Sequence, residues 1–342
     1  MTENQYVEFG NKKYYVRESN LMIGRCREDP IHVPLSNIKD LKGFQNIHDL
    51  DNLQLVNCDL TKIEGLSNLK TLKSLTLECN NIRKIEGLDN LTNLKYLHLK
   101  HNKIEKLENL DALGNLTHLY LDYNNISKLE NLEALTNLRG LMLSHNKISK
   151  IENLKPLSKL EGLILAHNNI SIFENINGLE ELSGLTLAHN NITRIGESNQ
   201  EVIGHELDLS YNKISKLERK HRFPYAESIL LNHNAIEVIE NGALPIRVKI
   251  LYLHNNNLTR IPDMSELTDV IDVTLSHNQL TNPDDIDQFI KRGEIHVELY
   301  GNPFCEQLLK EGKAVYDESG KGVYAKESII PVNTWKYYEV PI

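Results

Sequence analysis

Cysteine, tryptophan and positive charge are scarce in this 342-residue chain. Its four cysteines (Cys26, Cys58, Cys79 and Cys305) have no CxxC spacing, which argues against a zinc site and favours free thiols in a reducing compartment. The net charge of −9 argues against nucleic acid as the main partner, because phosphate binding needs a basic stripe. Composition therefore favours a soluble protein with another kind of partner.

Long apolar runs are missing as well. No run reaches the length of about 18 apolar residues that a membrane-spanning helix needs, so we expect no membrane partner. The first residues, MTENQYVEFGNKKYYV, lack the apolar core of a signal peptide. These absences predict a cytoplasmic protein.

A 22-residue repeat is what the chain has in abundance. An anchor asparagine recurs in the pattern LxLxxNxI at 22-residue intervals, at Asn80, Asn102, Asn124, Asn146, Asn168, Asn190, Asn212, Asn234, Asn256 and Asn278. The register extends back to Cys58 and Ser36, and it ends at Asn302 after a spacing of 24. Twelve in-phase units and an irregular last unit therefore cover about residues 31–302.

Each unit combines two kinds of apolar spacing. Leu97 and Leu99 alternate with His98 and Lys100, which predicts a short strand with one buried face. The apolar residues of 104–116 then point inward from a tighter return path. One unit cannot bury its apolar face alone, so stacked units must share a continuous core. The anchor asparagine is expected to satisfy backbone groups that the turn would leave unpaired.

The segment NLTNLKYLHLKHNKIEKLENL (residues 90–110) resembles the leucine-rich repeats in their 22-residue form. It is similar to the leucine-rich-repeat regulatory subunit of protein phosphatase 1 and to the repeat region of bacterial internalins. The resemblance implies an α/β solenoid, namely a curved horseshoe with a parallel concave sheet and short helical or 3-10 convex returns. It covers about four-fifths of the chain.

Three segments are predicted. Residues 1–30 form an N-terminal cap with a hairpin around Gly10, residues 31–302 form the repeats, and residues 303–342 form a C-terminal cap and tail. Phe304 and Cys305 should plug the core ahead of a short helix. Apolar residues make the tail unlike a disordered segment, so we expect it to pack as strands on the last units or to bind something. These residues are Tyr324, Ile329, Ile330, Trp335, Tyr337 and Tyr338.

The exposed strand positions are the candidates for function, because the buried positions report only the fold. Aromatic and charged residues on adjacent strands predict a protein-binding hot spot, although such positions also vary freely and could cluster by chance. The candidates are Tyr96, His98, Lys100, His118, Tyr120, Asp122 and Met142, with a second patch at Tyr252 and His254. A floor of small residues lies beside the first patch, at Gly140, Gly162, Gly184, Ser144, Ala166 and Ala188.

Two further columns of equivalent positions can be interpreted either structurally or functionally. Histidine often precedes the anchor, and His145, His167 and His189 occupy consecutive units. They could share a metal or sense pH, or they could simply stack in the turn. Rows of lysine and glutamate, from Lys62–Glu64 to Lys150–Glu152, predict a solvated rim, with an acidic docking edge as the alternative.

We therefore predict a non-catalytic scaffold that binds a protein partner on its concave face. No nucleotide loop, acid–base pair or catalytic triad is recognisable outside the repeat columns, so we expect no catalysis and no cofactor. We also expect a monomer that binds neither metal nor nucleic acid. Two alternatives come from the resemblance: a regulatory subunit of an enzyme such as a phosphatase, and an internalin-like surface adhesin.

Overall fold

The computed structural model describes residues 5–25, 31–196, 205–219, 226–290, 295–316 and 323–325. The chain divides into two compact units, residues 1–191 and 192–342. Each unit is a solenoid of short parallel strands, one per repeat, with little helix, as the repeat predicts.

Unit 1 (residues 1–191) contains a hairpin, a parallel sheet and two 3-10 segments, Ile38–Asp40 and Phe44–Asn46. Its strands are β1 Tyr6–Phe9, β2 Lys12–Tyr15, β3 Asn20–Ile23, β4 Asn52–Leu55, β5 Ser74–Thr76, β6 Tyr96–His98, β7 His118–Tyr120, β8 Gly140–Met142, β9 Gly162–Ile164, β10 Ile172–Phe173 and β11 Gly184–Thr186. The sheet order is β3-β4-β5-β6-β7-β8-β9-β11.

Unit 2 (residues 192–342) has the same pattern and also contains two short α-helices, α1 Asp287–Ile290 and α2 Cys305–Lys310, with a 3-10 segment at Pro283–Ile286. Its strands are β12 Arg194–Ile195, β13 Glu206–Asp208, β14 Lys216–Leu217, β15 Ser228–Leu230, β16 Val238–Ile239, β17 Ile250–Tyr252, β18 Asp272–Thr274, β19 His296–Glu298, β20 Ala314–Tyr316 and β21 Val323–Ala325. The sheet order is β13-β15-β17-β18-β19-β21-β20.

Equivalent leucines stack in register beneath each sheet. Leu97, Leu119 and Leu141 pair across β6, β7 and β8, and all three are fully buried. The return paths are single 3-10-type turns, in which Leu113 N–H donates to Leu110 O (3.0 Å) and Leu116 N–H donates to Leu113 O (2.9 Å). Short strands and tight returns thus bury one continuous apolar core within each unit.

The anchor asparagines form a buried ladder of hydrogen bonds, as predicted. Asn124 Oδ1 accepts from Ile104 N–H at 2.9 Å, and its Nδ2 donates to Leu99 O and Leu121 O at 3.0 Å each. One amide therefore satisfies backbone groups of its own unit and of the preceding unit, which fixes the turn and the stacking together.

The N-terminal boundary differs from the prediction. The hairpin around Gly10 is present, with β1 and β2 antiparallel. However, the edge strand of the sheet is β3, which lies inside the predicted cap and pairs in parallel with β4. Residues 32–37 of the first predicted unit form no strand, and Ser36 is exposed. Around Pro34 the chain turns, with Leu35 N–H donating to Val33 O at 2.6 Å, so this segment does not extend along β4.

The C-terminal cap follows the prediction. Phe304 and Cys305 are buried ahead of α2. Beyond it, β20 and β21 are antiparallel, and β21 pairs with β19 through Glu298 and Tyr324. The tail thus adds strands to the last unit as far as Ala325. The other tail residues named above, from Ile329 to Tyr338, lie outside the described residues.

The cysteines correct one expectation. Cys58 and Cys305 are free and buried, but Cys79 is disulfide-bonded. Burial, with the nearby Asp59 charge, raises the pKa of the Cys58 thiol to about 12. In the anchor slot, the Cys58 Sγ donates to Val56 O at 3.2 Å. Cys26 lies outside the described residues.

Candidate functional site

The seven residues of the first candidate patch lie on the exposed side of β6, β7 and β8 or just beyond these strands. Two ring stacks run across adjacent strands. Tyr96 and His118 have centroids 5.2 Å apart with planes at 17°, and His98 and Tyr120 are 4.2 Å apart at 9°. We call these four rings, with Lys100, Asp122 and Met142, the aromatic patch. Alternation with buried leucines puts all four rings on one face.

The two charged residues of the aromatic patch, Lys100 and Asp122, pair with each other. Lys100 Nζ lies 3.4 Å from Asp122 Oδ2 and 5.1 Å from the centroid of the Tyr120 ring. The side chains of Lys100 and Asp122 are only 13% and 10% exposed, and Asp122 Oδ1 also accepts from Ser144 N–H at 2.9 Å. Lys100 and Asp122 therefore brace the aromatic rings, and only a small part of either side chain can reach a partner.

Burial also changes the titration of two rings in the patch. Burial lowers the pKa of His118, which favours the neutral imidazole. Burial raises the pKa of Tyr120, and the nearby Tyr96, Asp122 and Glu78 act in the same direction. His118 and Tyr120 thus present half-buried rings whose neutral forms are favoured, which suits contact with a partner of mixed polarity.

The three glycines of the floor, Gly140, Gly162 and Gly184, have different surroundings. At Gly140 an added Cβ would lie 2.7 Å from His118 Cδ2, so this glycine makes room for the imidazole. At Gly162 and Gly184 an added Cβ would meet nothing within 4 Å, and neither residue has positive φ. Neither packing nor backbone geometry requires glycine at these two positions, although glycine weakens a strand.

The second candidate patch, in unit 2, is part of a polar network. Tyr252 Oη donates to Asp272 Oδ2 at 3.0 Å, and His296 Nδ1 lies 2.6 Å from Asp272 Oδ1. His254 Nδ1 lies 2.7 Å from Thr274 Oγ1. Burial, with nearby histidines, lowers the pKa of His254 to about 4, so its imidazole is neutral at pH 7.

Sequence reasoning did not identify Asp272 and His296 as members of this network. The column just before the first strand leucine reaches both of them when it is continued through Ile250, so a longer column would have found them. Asp272 contacts both Tyr252 and His296, so this part of the face is held by internal hydrogen bonds.

The residue before each anchor has an unexpected backbone. From Asn57 to His277 this position is left-handed in every unit, with φ between 53° and 57°. In unit 1, five consecutive members stack as rings, at His101, Tyr123, His145, His167 and His189. We call these five residues the ring ladder. Asparagine, which fills two of these positions, and histidine are enriched in this conformation, whereas tyrosine adopts it less readily.

Two other candidates can be placed as well. Within the described ranges, no three His, Cys, Asp or Glu side chains are arranged to hold a metal ion. Lys62, Lys106 and Lys128 of the rim are exposed.

Among the described residues, no helix has the length and apolar character to cross a membrane.

Two family models of known proteins match the part of the chain that contains the 22-residue repeat. A model of leucine-rich repeats in two copies matches residues 114–156, and a second leucine-rich-repeat model matches residues 70–126. The chain is a leucine-rich-repeat protein. No curated protein matches it in sequence.

Several solved structures share the fold. An internalin (inlF) from Listeria monocytogenes is 23% identical over 83% of this chain and 81% of its own, with a TM-score of 0.64. A chain in the octameric complex of Latrophilin 3, Unc5D and FLRT2 is 19% identical over 83% and 90%, with a TM-score of 0.62. The TLR13–ssRNA13 complex matches at 21% identity over 75% and 44%, with a TM-score of 0.55. At these identities the likeness concerns the fold.

Proposed function

We propose that this leucine-rich-repeat protein is a non-catalytic scaffold that binds a protein partner on the exposed face of its strands in unit 1. The aromatic patch supplies the anchors, because tyrosine-rich clusters carry much of the energy of protein interfaces. A preformed wall of strands also loses little conformational entropy on binding. The net charge of −9 supports a protein partner in preference to nucleic acid.

The observation that carries this proposal is the contrast among the three floor glycines. Gly140 is needed to accommodate His118, but Gly162 and Gly184 are not needed by the fold. Strand glycines reduce stability by roughly 0.5–1 kcal/mol relative to alanine. A partner that approaches the backbone beside the patch would give these two glycines a purpose.

The test is affinity capture from the source cells with matched variants, read by mass spectrometry. Tyr96→Ala/Tyr120→Ala removes two anchors, and Gly162→Val/Gly184→Val fills the floor without truncating any contact. Loss of a hot-spot residue typically costs about 2 kcal/mol or more, which is roughly 30-fold in affinity. We expect both variants to lose a protein that the wild type retains.

The control variant is Lys128→Ala/Glu130→Ala, which alters the rim and leaves the strand face intact. It should capture the partner as the wild type does. Each variant is first checked for an unchanged thermal transition. Equal capture by the wild type and both face variants would rule out this face, and loss in the rim variant alone would move the site to the Lys/Glu rim.

One alternative has an observation in its favour. The cytoplasmic location is a prediction from the sequence, and the bonded state of Cys79 weighs against it, because disulfides persist in oxidising compartments. A surface adhesin of the internalin kind would fit such a compartment. The phosphatase-regulator alternative and the monomeric state stay predictions, to be tested by copurification of a phosphatase and by light scattering.

A further inference from the structure

The ring ladder of unit 1 is an unbroken column of five stacked rings. Successive centroids are 4.2, 4.1, 4.0 and 4.1 Å apart, and successive planes differ by 9–15°. His145, His167 and His189 are consecutive, so three imidazoles touch face to face without a tyrosine between them. An imidazole stacks well while neutral and acquires a positive charge in the range of pH 5–8.

The backbone of each ladder residue is held in place. His145 has φ of 55° and donates its N–H to Ala166 O at 2.9 Å, and His167 has φ of 54° and donates to Ala188 O at 2.9 Å. Each residue is therefore held both by the left-handed turn and by a hydrogen bond to the next unit. Rings that become charged thus separate by turning about their side-chain torsions, while the backbone stays in place.

The charged and titratable surroundings of the ladder oppose protonation. His145 stacks between Tyr123 and His167, and the charges of His101 and His189 act on it from one unit further along the ladder. Asp122 acts in the opposite direction and raises the pKa of His145, but Asp122 is itself paired with Lys100 at 3.4 Å. Burial lowers the pKa of His145, and His101 and His189 add to the effect.

His167 lies beside two other imidazoles. Burial lowers its pKa, and His145 and His189 lower it further. No carboxylate acts on His167 among the described residues that influence it. A proton on His145 therefore makes a proton on His167 harder to add.

We propose that the ring ladder is a proton-sensitive element of unit 1, stacked while its imidazoles are neutral and forced apart when neighbouring imidazoles become charged. In the unfolded chain these histidines bind protons at the ordinary pKa of about 6.5. The folded pKa values of His145 and His167 are lower, so the unfolded state binds more protons than the folded state as the pH falls below about 6.5. The stabilisation from the ladder is complete above about pH 6.5 and is lost as the pH falls toward the folded pKa.

The first test replaces imidazole with a ring that does not titrate near neutral pH. His145→Tyr/His167→Tyr keeps stacked rings, since Tyr123 already occupies an equivalent position with φ of 57°. Urea unfolding of the full chain is measured from pH 7.5 to 5.0. The folded-to-unfolded ratio of the wild type should fall about tenfold for each unit by which a ladder pKa is depressed.

The double variant should lose much less stability than the wild type over this range. The control is His48→Tyr, which removes an exposed histidine outside the ladder and should lose stability as the wild type does. An equal loss in the wild type and the double variant would overturn the proposal.

The second measurement is made on wild-type protein. Titration of its imidazole C–H signals by NMR should give pKa values for His145 and His167 below the ordinary value of about 6.5. His145→Asn and His167→Asn serve to assign the signals, because Asn57 occupies the same position with φ of 55°. Values at or above about 6.5 for both His145 and His167 would overturn the proposal.

Discussion

At the scale of single residues, two side chains decide the shape of each repeat. The anchor asparagine uses both ends of its amide on buried backbone groups, as Asn124 does with Ile104, Leu99 and Leu121. The residue before it takes a left-handed conformation in every unit. Since a buried backbone group without a partner is costly, the asparagine is the less replaceable of the two.

Asn146→Ala should strongly destabilise unit 1. It removes the acceptor of Ile126 N–H (2.9 Å) and the donor to Leu121 O (3.0 Å) and Leu143 O (3.1 Å), all buried. Each unsatisfied buried group costs about 1–3 kcal/mol, so we expect a loss of roughly 3 kcal/mol. Urea unfolding measures it, with exposed Asn169→Ala as the matched control. A loss below about 1 kcal/mol at Asn146 would contradict the ladder.

Substitution of two glycines by alanine should have opposite effects. Gly87 has φ of 67°, and an added Cβ would overlap the carbonyl oxygen of Ile63, so Gly87→Ala should cost about 2 kcal/mol. Gly162→Ala meets open space and should be neutral or stabilising by about 0.5 kcal/mol. Thermal denaturation of both variants tests this contrast, and an equal effect of the two would refute it.

At the scale of elements, neighbouring strands are coupled by their exposed side chains as well as by backbone hydrogen bonds. Parallel pairing places His98 of β6 opposite Tyr120 of β7, and their rings stack at 4.2 Å. Tyr96 and His118 pair in the same way. Cross-strand pairs of this kind stabilise a sheet beyond the burial of their area.

A double-mutant cycle should detect this coupling. His98→Ala and Tyr120→Ala, singly and together, are expected to give an interaction energy of about 0.5–1.5 kcal/mol in thermal or urea unfolding. The control cycle combines His98→Ala with Tyr15→Ala on the hairpin, and its effects should add. Additive effects in the His98–Tyr120 cycle would mean that the stack does not contribute to stability.

At the scale of the whole molecule, each unit needs a covered end. In unit 1 the parallel sheet starts at β3, next to the β1–β2 hairpin, and in unit 2 it ends with β21 and β20 against β19. Repeat arrays expose core at their ends without such caps. The disulfide at Cys79 adds a covalent constraint whose presence depends on the redox state of the compartment.

Cysteine labelling should separate the bonded and free thiols. In denaturant without reductant, an alkylating reagent should label Cys58 and Cys305, and it should label Cys79 only after reduction. In the folded protein Cys58 should react slowly, because burial raises its pKa to about 12. Peptide mass mapping gives the result. Labelling of Cys79 without reduction would favour the cytoplasmic prediction.

The sequence by itself determined the repeat, the stacked leucines, the asparagine ladder and the choice of residues that share one face with Tyr96 and Tyr120. Each of these follows from local spacing, because a period of two assigns strand faces and a period of 22 aligns equivalent positions on neighbouring strands. The C-terminal plug of Phe304 and Cys305 was predictable from the resemblance of LYGNPFCEQLLKEG to the closing unit of leucine-rich repeats.

Only the tertiary structure decided features that depend on contacts between distant residues. It selected β3 over residues 32–37 as the edge strand, because Asn20–Ile23 pairs in register with β4 while the segment around Pro34 turns. It paired Lys100 with Asp122 inside the patch. It also distinguished Gly140 from Gly162, since spacing gives both the same position and only the three-dimensional neighbourhood shows an imidazole over one and open space over the other.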